Sequence, residues 1–563
     1  MQMQQHRNGE KGASLFVAIA ALVWVIIPML GLFVDLGILY SAKARLQAAI
    51  DGAALAAARA LNLGQTTTAQ AVSAQQNAVN WFYANFPNGN WATSNTVMTT
   101  ANVTVVDSPS NANLRQVTVT ASTSVPTWFM KYLGFSATTL TGSGQASRKD
   151  IVAMLVLDRS GSMCSVNGAT ANPPCNKSNT TTPCSSMIID AKNFTGAFAE
   201  GRDQIGLLTF ADGYYLESKP TSNFQTVLGY TNASGSSNGT IDNIDCNGGT
   251  GTAAAVSMAY NQLFQINEPG AMNIIMLETD GLPNTLIYNF YATPGTTSTW
   301  ALNTTSACQD ASGKTWNAGG WRTAASVPSW TTGIGMNTGG AGYMANVPTG
   351  AIGAFYSADP AQEAQNGPYM IVLFNPAQTS DSGGTNSISV TNSPGCTFPS
   401  TTNSAKPETT VYSDFNWLPG QDVFGNQIAP SNEYQSLALT SGYLNLTGTA
   451  STDWPNAHSA ALNAADNSAY NVRTNPTLPA YVFTIGLGGN DGNPPDPILL
   501  QRMANDPNED QFNNPPVYSA CSAEPTCISY PNQPQGTFIY APTSAQLGQA
   551  FLAISSQILR LSH

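Results

Sequence analysis

"IVAMLVLDRSGSM", Ile151 to Met163, runs seven apolar residues into a polar tip that begins at Asp158 and carries hydroxyls at Ser160 and Ser162. A short, unbroken apolar run bounded by turn chemistry reads as a strand buried on both faces. Its polar tip then leaves the sheet at a carboxyl edge. The pattern recurs in "QIGLLTF" (Gln204 to Phe210), "MNIIMLETDG" (Met272 to Gly281) and "YVFTIGLGG" (Tyr481 to Gly489). Between the first two, "MIIDAKNFTGAF" places Met187, Ala191, Phe194 and Phe198 on one helical face. "TAAAVSMAYNQLF" does the same with Val256, Tyr260 and Leu263. Strands alternating with amphipathic helices predict an α/β domain with a doubly wound, Rossmann-like, mostly parallel sheet. Ligands of such sheets bind beyond the carboxyl ends of the strands.

Three polar tips are predicted to meet there. The first brings Asp158, Ser160 and Ser162; the second, "GGTGTAAAV", brings Thr250; the third, "LETDGLP", brings Asp280 with Gly281 permitting a sharp turn. Two carboxylates and three hydroxyls, without His or thiolate, are hard oxygen donors suited to Mg²⁺ or Mn²⁺, with Ca²⁺ as a further candidate. Ser and Asp after a strand are also ordinary helix N-caps, but that reading does not predict Thr250 and Asp280 in this order.

D-x-S-x-S, Gly-Gly-Thr and T-D-G in this succession resemble the metal-ion-dependent adhesion site of von Willebrand factor type A domains. The resemblance implies that Asp158, Ser160, Ser162, Thr250 and Asp280 ligate the ion directly or through water. It also implies a protein partner whose carboxylate completes the coordination. An enzyme would use Asp158 as an aspartyl nucleophile for phosphoryl transfer with Asp280 on Mg²⁺. The chain lacks a second acid two residues on and a well-placed Lys for that chemistry.

The chain has 563 residues, enough for two to four folded units. Lys and Arg total 20 against 32 Asp and Glu, a net charge of −12, so no surface could neutralise a run of phosphates and nucleic acid is excluded as a partner. The three histidines, His6, His458 and His563, leave almost nothing for a His-rich zinc site or a Ser-His-Asp hydrolase. The eight cysteines are Cys164, Cys175, Cys184, Cys246, Cys308, Cys396, Cys521 and Cys527. An even number in an exported segment reads as disulfides. Cys521 with Cys527 is the expected local pair, Cys308 with Cys396 a second guess. A bond from the loop after Ser162 to Cys246 would brace the rim of the candidate site.

"GASLFVAIAALVWVIIPMLGLFV", Gly12 to Val34, is uncharged and long enough as a helix to span about 30 Å of hydrocarbon. The Ala-rich stretch that follows, with Gly64 as its stop, predicts one helix, its first half in the membrane and its second half outside. Flanking charges balance, and the cysteines place the bulk of the chain outside the cytoplasm. "VDLGILYSAKARLQAAIDGAALAAA", Val34 to Ala58, resembles the N-termini of TadE/TadG-like proteins of tight-adherence (Flp) pili. Pilin-like relatives carry a Glu shortly after the prepilin cleavage Gly. Here that place holds Val17, so the anchor is expected to be retained.

Residues 65–147, with a helix near Ala69 to Phe86, two alternating strands and the apolar piece "TWFMKYLGF", read as a small α+β segment. Residues 1–64 form tail, anchor and extension, and 148–563 the type A domain, interrupted at about 290–457. That insertion, with Trp300, Trp316, Trp321, Trp330 and Trp417 and the runs "PYMIVLF" and "SISV", reads as a β/loop lobe. The closing helix shows a core-facing stripe at Leu547, Phe551, Ile554, Ile558 and Leu561, with a Thr543–Gln546 capping box. Its end, "ILRLS", resembles Tad-associated type A proteins. The acidic loops "NPPDP" and "ANDPNED" read as solvated turns or as Ca²⁺ loops.

Together these readings predict a single-pass protein of a bacterial inner membrane with a periplasmic, metal-dependent protein-binding module. Its expected partners are pilus or envelope components, and no turnover is expected. A pseudopilin-like or surface scaffold with a vestigial metal site is the competing reading.

Overall fold

The computed structural model describes residues 9–562 apart from 64–65, 167–173, 212, 234, most of 290–416, 423, 432, 447–449, 489–493 and 508–531. The chain divides into two units, Met1–Lys149 with Ser562–His563, and Asp150–Leu561.

In the first unit a single helix, α1, runs through Gly9–Ala21, a π-helical turn Leu22–Ile26, and Ile27–Ala60. Pro28 accounts for the wide turn, because its missing N–H and its ring disturb the carbonyl ladder just before it. The helix from Leu15 is long and apolar enough, by length and composition, to cross a membrane. Its second half is built differently. Leu46, Ile50, Ala53, Ala57 and Leu61 recur at helical spacing and are fully buried. They pack on α2, Thr67–Asn85, through its Ala74, Ala78 and Phe82, and on the alternating Val117, Val119 and Ala121. Thr66 caps α2 by accepting from the Ala69 N–H.

Four antiparallel strands complete the unit: β1 Ser94–Val97, β2 Val103–Ser108, β3 Asn111–Pro126 and β4 Ala137–Lys149. β4 pairs the length of β3, from Leu114 opposite Lys149 to Pro126 opposite Ala137. A Cβ at Gly142 or Gly144 would meet Ile50 or Asp51 at 2.5–2.6 Å, so these glycines let the strand lie directly on α1. The boundary expected at residue 64 therefore runs through one core. The extension of α1 is the central helix of the α+β unit, because its alanines bury fully only against α2 and the sheet.

The second unit centres on six strands. β5 is Ile151–Asp158, β6 Gln204–Phe210, β7 Tyr214–Thr221, β8 Met272–Thr279, β9 Tyr481–Leu487 and β10 Phe538–Ala541. Their order is β10-β9-β8-β5-β6-β7, parallel throughout except for the β6–β7 pair. One face is covered by α3 (Pro183–Thr195) and α7 (Ser544–Leu561), the other by α4 (Thr252–Ile266), α5 (Ala450–Thr474) and α6 (Pro497–Ala504). All eight residues of β5 are buried, as a central parallel strand requires. The chain leaves β5 through α3 to β6 on one side, then returns through α4 to β8 on the other. The carboxyl ends of β5 and β8 thus form the crevice at the switch point.

The insertion is shorter than the sequence suggested. Leu418, Phe424, Ile428 and Leu444 pack into the same core as α4 and α5, and the expected end at 457 falls inside α5. Thr285–Asn289, Ile352–Ser357, Tyr369–Phe374 and Ser387–Ser389 form an antiparallel sheet in that order. The lobe's Trp300, Trp316, Trp321 and Trp330 lie outside the described residues. On α7 the stripe is buried from Leu547 to Ile558, whereas Leu561, at the frayed end, is 47% exposed.

Candidate functional site

β5 carries Asp158 to the sheet edge, where its carboxylate is fixed from two sides. Oδ1 accepts the Ser160 backbone N–H at 2.7 Å, and Oδ2 accepts the Thr279 hydroxyl at 2.5 Å. The chain then makes one 3-10 turn, Gly161–Cys164, which turns Ser162 back toward Ser160, their Oγ atoms 2.8 Å apart. Ser162 Oγ donates to Asp280 Oδ1 at 2.6 Å. Four of the five expected ligands are therefore linked within one hydrogen-bonded cluster.

Thr250 is the fifth. Its backbone N–H donates to Asn284 Oδ1 at 2.7 Å, while its carbonyl accepts from the N–H groups of Asn284 and Thr285. This clamps the Gly-Gly-Thr loop to the residues after Asp280. Gly281 locates the convergence: a Cβ there would lie 3.5 Å from both Ser162 Oγ and Thr250 Oγ1. The Gly248 N–Cα torsion is positive (φ 103°), a conformation glycine adopts without strain, and its carbonyl accepts from Gly161 N–H at 2.8 Å.

The electrostatics are costly. Burial pushes the Asp158 carboxyl up to about 6, against the lowering effect of its bonds from Thr279 and Ser160. Glu278, fully buried on β8, was not anticipated, although an acid inside the apolar run "MNIIMLETDG" was a legible signal. Neither Glu278 oxygen makes a hydrogen bond of ordinary geometry; the Asp158 backbone N–H offers the nearest relief. Burial, then the charges of Asp158 and Asp280, hold Glu278 well above the usual carboxylate range. Two buried carboxyl groups, Asp158 and Asp280, with serine and threonine hydroxyls make a donor set that fits a hard divalent cation, which would offset their repulsion of one another and of Glu278. Arg159, the nearby basic side chain, is instead stacked over the Tyr215 ring at 4.5 Å.

The rim is tied by two disulfides. Cys164, next but one to Ser162, bonds Cys175, and Cys184 at the start of α3 bonds Cys246, four residues before Thr250. Cys175 and Cys246 also face each other in a two-residue antiparallel ladder. Cys308, Cys521 and Cys527 lie outside the described residues, and Cys396 begins the strand Cys396–Pro399. Of the acidic loops, "NPPDP" provides the N-cap of α6, with Asp496 accepting from Ile498 and Leu499 N–H. In "ANDPNED", Asp506 accepts from Phe538 N–H at 2.9 Å.

A doubly wound sheet with these tips at its switch point defines a von Willebrand type A domain, and the comparisons agree. Residues 153–282 match the family model described as von Willebrand factor type A domain, and residues 12–60 match that of the Flp pilus-assembly TadE/G-like family. The chain thus carries a type A domain behind a TadE/G-like N-terminal segment. No curated protein matches it in sequence. Among solved structures it is similar to the vWF domain of the type V pili tip protein Mfa5 from Porphyromonas gingivalis, at 15% identity over 74% of this chain and 98% of that one, TM-score 0.30. It is also similar to the PilB minor pilin from Streptococcus sanguinis, at 11% identity over 84% and 80%, TM-score 0.30. Neither likeness is strong enough to bear on function.

Proposed function

We propose that the protein is a membrane-anchored, metal-dependent protein-binding module of a Tad/Flp-type pilus or secretion system, working in assembly or adhesion without turnover. The observation that supports this best is the meeting of Asp158, Ser160, Ser162 and Asp280 in one bonded cluster, with Thr250 brought to within reach at Gly281. Mg²⁺ or Mn²⁺ bound there would supply a Lewis-acid centre with coordination sites left for a partner's carboxylate. The chain's own residues do the rest. Thr279 and the Ser160 N–H orient Asp158, the Asn284 clamp sets the Thr250 hydroxyl, and Gly281 keeps the centre open. The disulfides hold the two loops that carry Ser162 and Thr250. The TadE/G-like segment and the apolar half of α1 support an anchor in the inner membrane, with the type A unit on the periplasmic side.

Calorimetric titration of the purified full chain with Mg²⁺ and Mn²⁺ tests the reading, beside Asp158→Ala and Ser162→Ala. Saturable binding that either substitution abolishes, with the far-ultraviolet circular dichroism unchanged, is the expected result. No heat of binding in the unsubstituted chain would refute metal dependence and favour a scaffold role.

A further inference from the structure

The β3–β4 hairpin ends in "TWFMKYLGFS", Thr127 to Ser136, which a soluble protein would be expected to hide. It does the reverse. Trp128 is 60% exposed, Tyr132 82%, Leu133 71% and Phe135 60%. Such a contiguous set of apolar and aromatic side chains marks an interaction site.

Its position says with what. The tip is fastened to α1 where the apolar run ends. Asp35, buried, accepts the backbone N–H groups of Trp128, Phe129 and Met130 at 2.6–2.9 Å, tying the tip to the helix. One turn earlier, a Cβ at Gly31 would sit 2.3 Å from the Phe129 ring, so the glycine admits the ring against the helix backbone. The same stretch of α1 turns its other side chains outward: Leu30, Phe33, Val34 and Leu36 are all exposed. The hairpin tip and the last apolar turn of α1 therefore form one continuous apolar surface. Trp and Tyr concentrate at the headgroup level of bilayers, and a Lys among them can keep its charged end in water. Lys131, whose ammonium lies 5.6 Å over the Tyr132 ring, has that placement.

We propose that this hairpin tip is a second membrane contact, inserted into the interfacial layer of the leaflet from which α1 emerges. The proposal rests on α1 spanning the bilayer. The occupant of the patch is lipid, because the patch continues the lipid-facing side of the helix to which Asp35 ties it. The contact would fix both the tilt of α1 and its rotation about its own axis, which one helix alone leaves free.

The test uses the full chain in nanodiscs made with lipids brominated at shallow or deep acyl positions. Tryptophan quenching is compared between the unsubstituted chain, Trp128→Phe and Trp24→Phe. Trp24, on the π-helical turn and 80% exposed, lies seven residues before Gly31, about 10 Å deeper along the helix. The expected result is that Trp128→Phe removes a component quenched at least twofold more by shallow than by deep bromines. Trp24→Phe should remove one quenched more by deep bromines. A quenched Trp24 component with no lipid-quenched Trp128 component would overturn the proposal and leave the anchor standing. Absence of both would overturn the anchor, and the interfacial contact with it.

Discussion

Replacing Glu278 by Leu should make the metal-free protein more stable, although it removes a charged side chain from the strand that leads into the candidate site. In the folded chain this carboxyl is fully buried, lacks a hydrogen bond of ordinary geometry and faces Asp158 and Asp280. A buried polar group left unsatisfied costs about 1–3 kcal/mol, and leucine fills a similar volume without that cost. Each kcal/mol corresponds to about 2–4 °C in domains of 150–250 residues, so a rise of several degrees is expected. Differential scanning calorimetry of the full chain in EDTA reads it directly. The advantage of the Leu variant should narrow in saturating Mg²⁺. The negative charge of Glu278, which acts on Asp158 and Asp280, favours a nearby cation, so the Leu variant should gain less from the metal than the unsubstituted chain does. A Leu variant that melts lower in EDTA would refute the account of Glu278 as an uncompensated group.

Gly281→Ala should fold normally, since its Cβ would make only 3.5 Å contacts with Ser162 and Thr250, yet weaken Mg²⁺ binding at least tenfold by filling the centre; calorimetry alongside a thermal melt separates the two effects. Burial raises Asp158 to about 6 and Asp422 to about 7, so both hold protons more tightly folded than unfolded. Their contribution is fully present below about pH 4 and is lost as pH rises through 6 to 7. Asp422→Asn should therefore flatten the fall in metal-free stability between pH 4 and 7, by about 4 kcal/mol at most, and identical slopes for the two proteins would contradict this. Reducing Cys184–Cys246, which closes 62 residues, removes about 4 kcal/mol of chain constraint on the entropic account, and Cys184→Ala with Cys246→Ala should lower both the melting midpoint and Mg²⁺ affinity.

The candidate site was legible in the sequence because its proposed donors sit in three short motifs beside strands with clear apolar runs. Periodicity also located the buried faces of α3 and α4. What it could not convey was packing between distant segments. The alanines of α1 look alike in the apolar half and the core half; only packing on α2 and on Val117, Val119 and Ala121 of β3 tells them apart. Residues 417–446 read as part of the inserted β/loop lobe, yet Leu418, Phe424 and Ile428 complete the α4–α5 core. Glu278 was visible as an acid inside the apolar run of β8, but the T-D-G motif that follows it draws attention to Asp280 instead. The aromatic tip was visible as an apolar piece, but its exposure follows from the Asp35 tether, a contact 93 residues away in sequence.

The continuity of α1 has a mechanical consequence. No flexible link separates the apolar half from the half that forms the core of the first unit, so the helix behaves as a shaft. A pull or twist on that core would be delivered to the bilayer without slack. Inserting one residue between Asp35 and Ala42 would turn one end against the other by about 100° and lengthen the shaft by about 1.5 Å. Under tension, the three Asp35 hydrogen bonds would have to yield before the hairpin could part from the shaft, making that carboxylate the clutch between them.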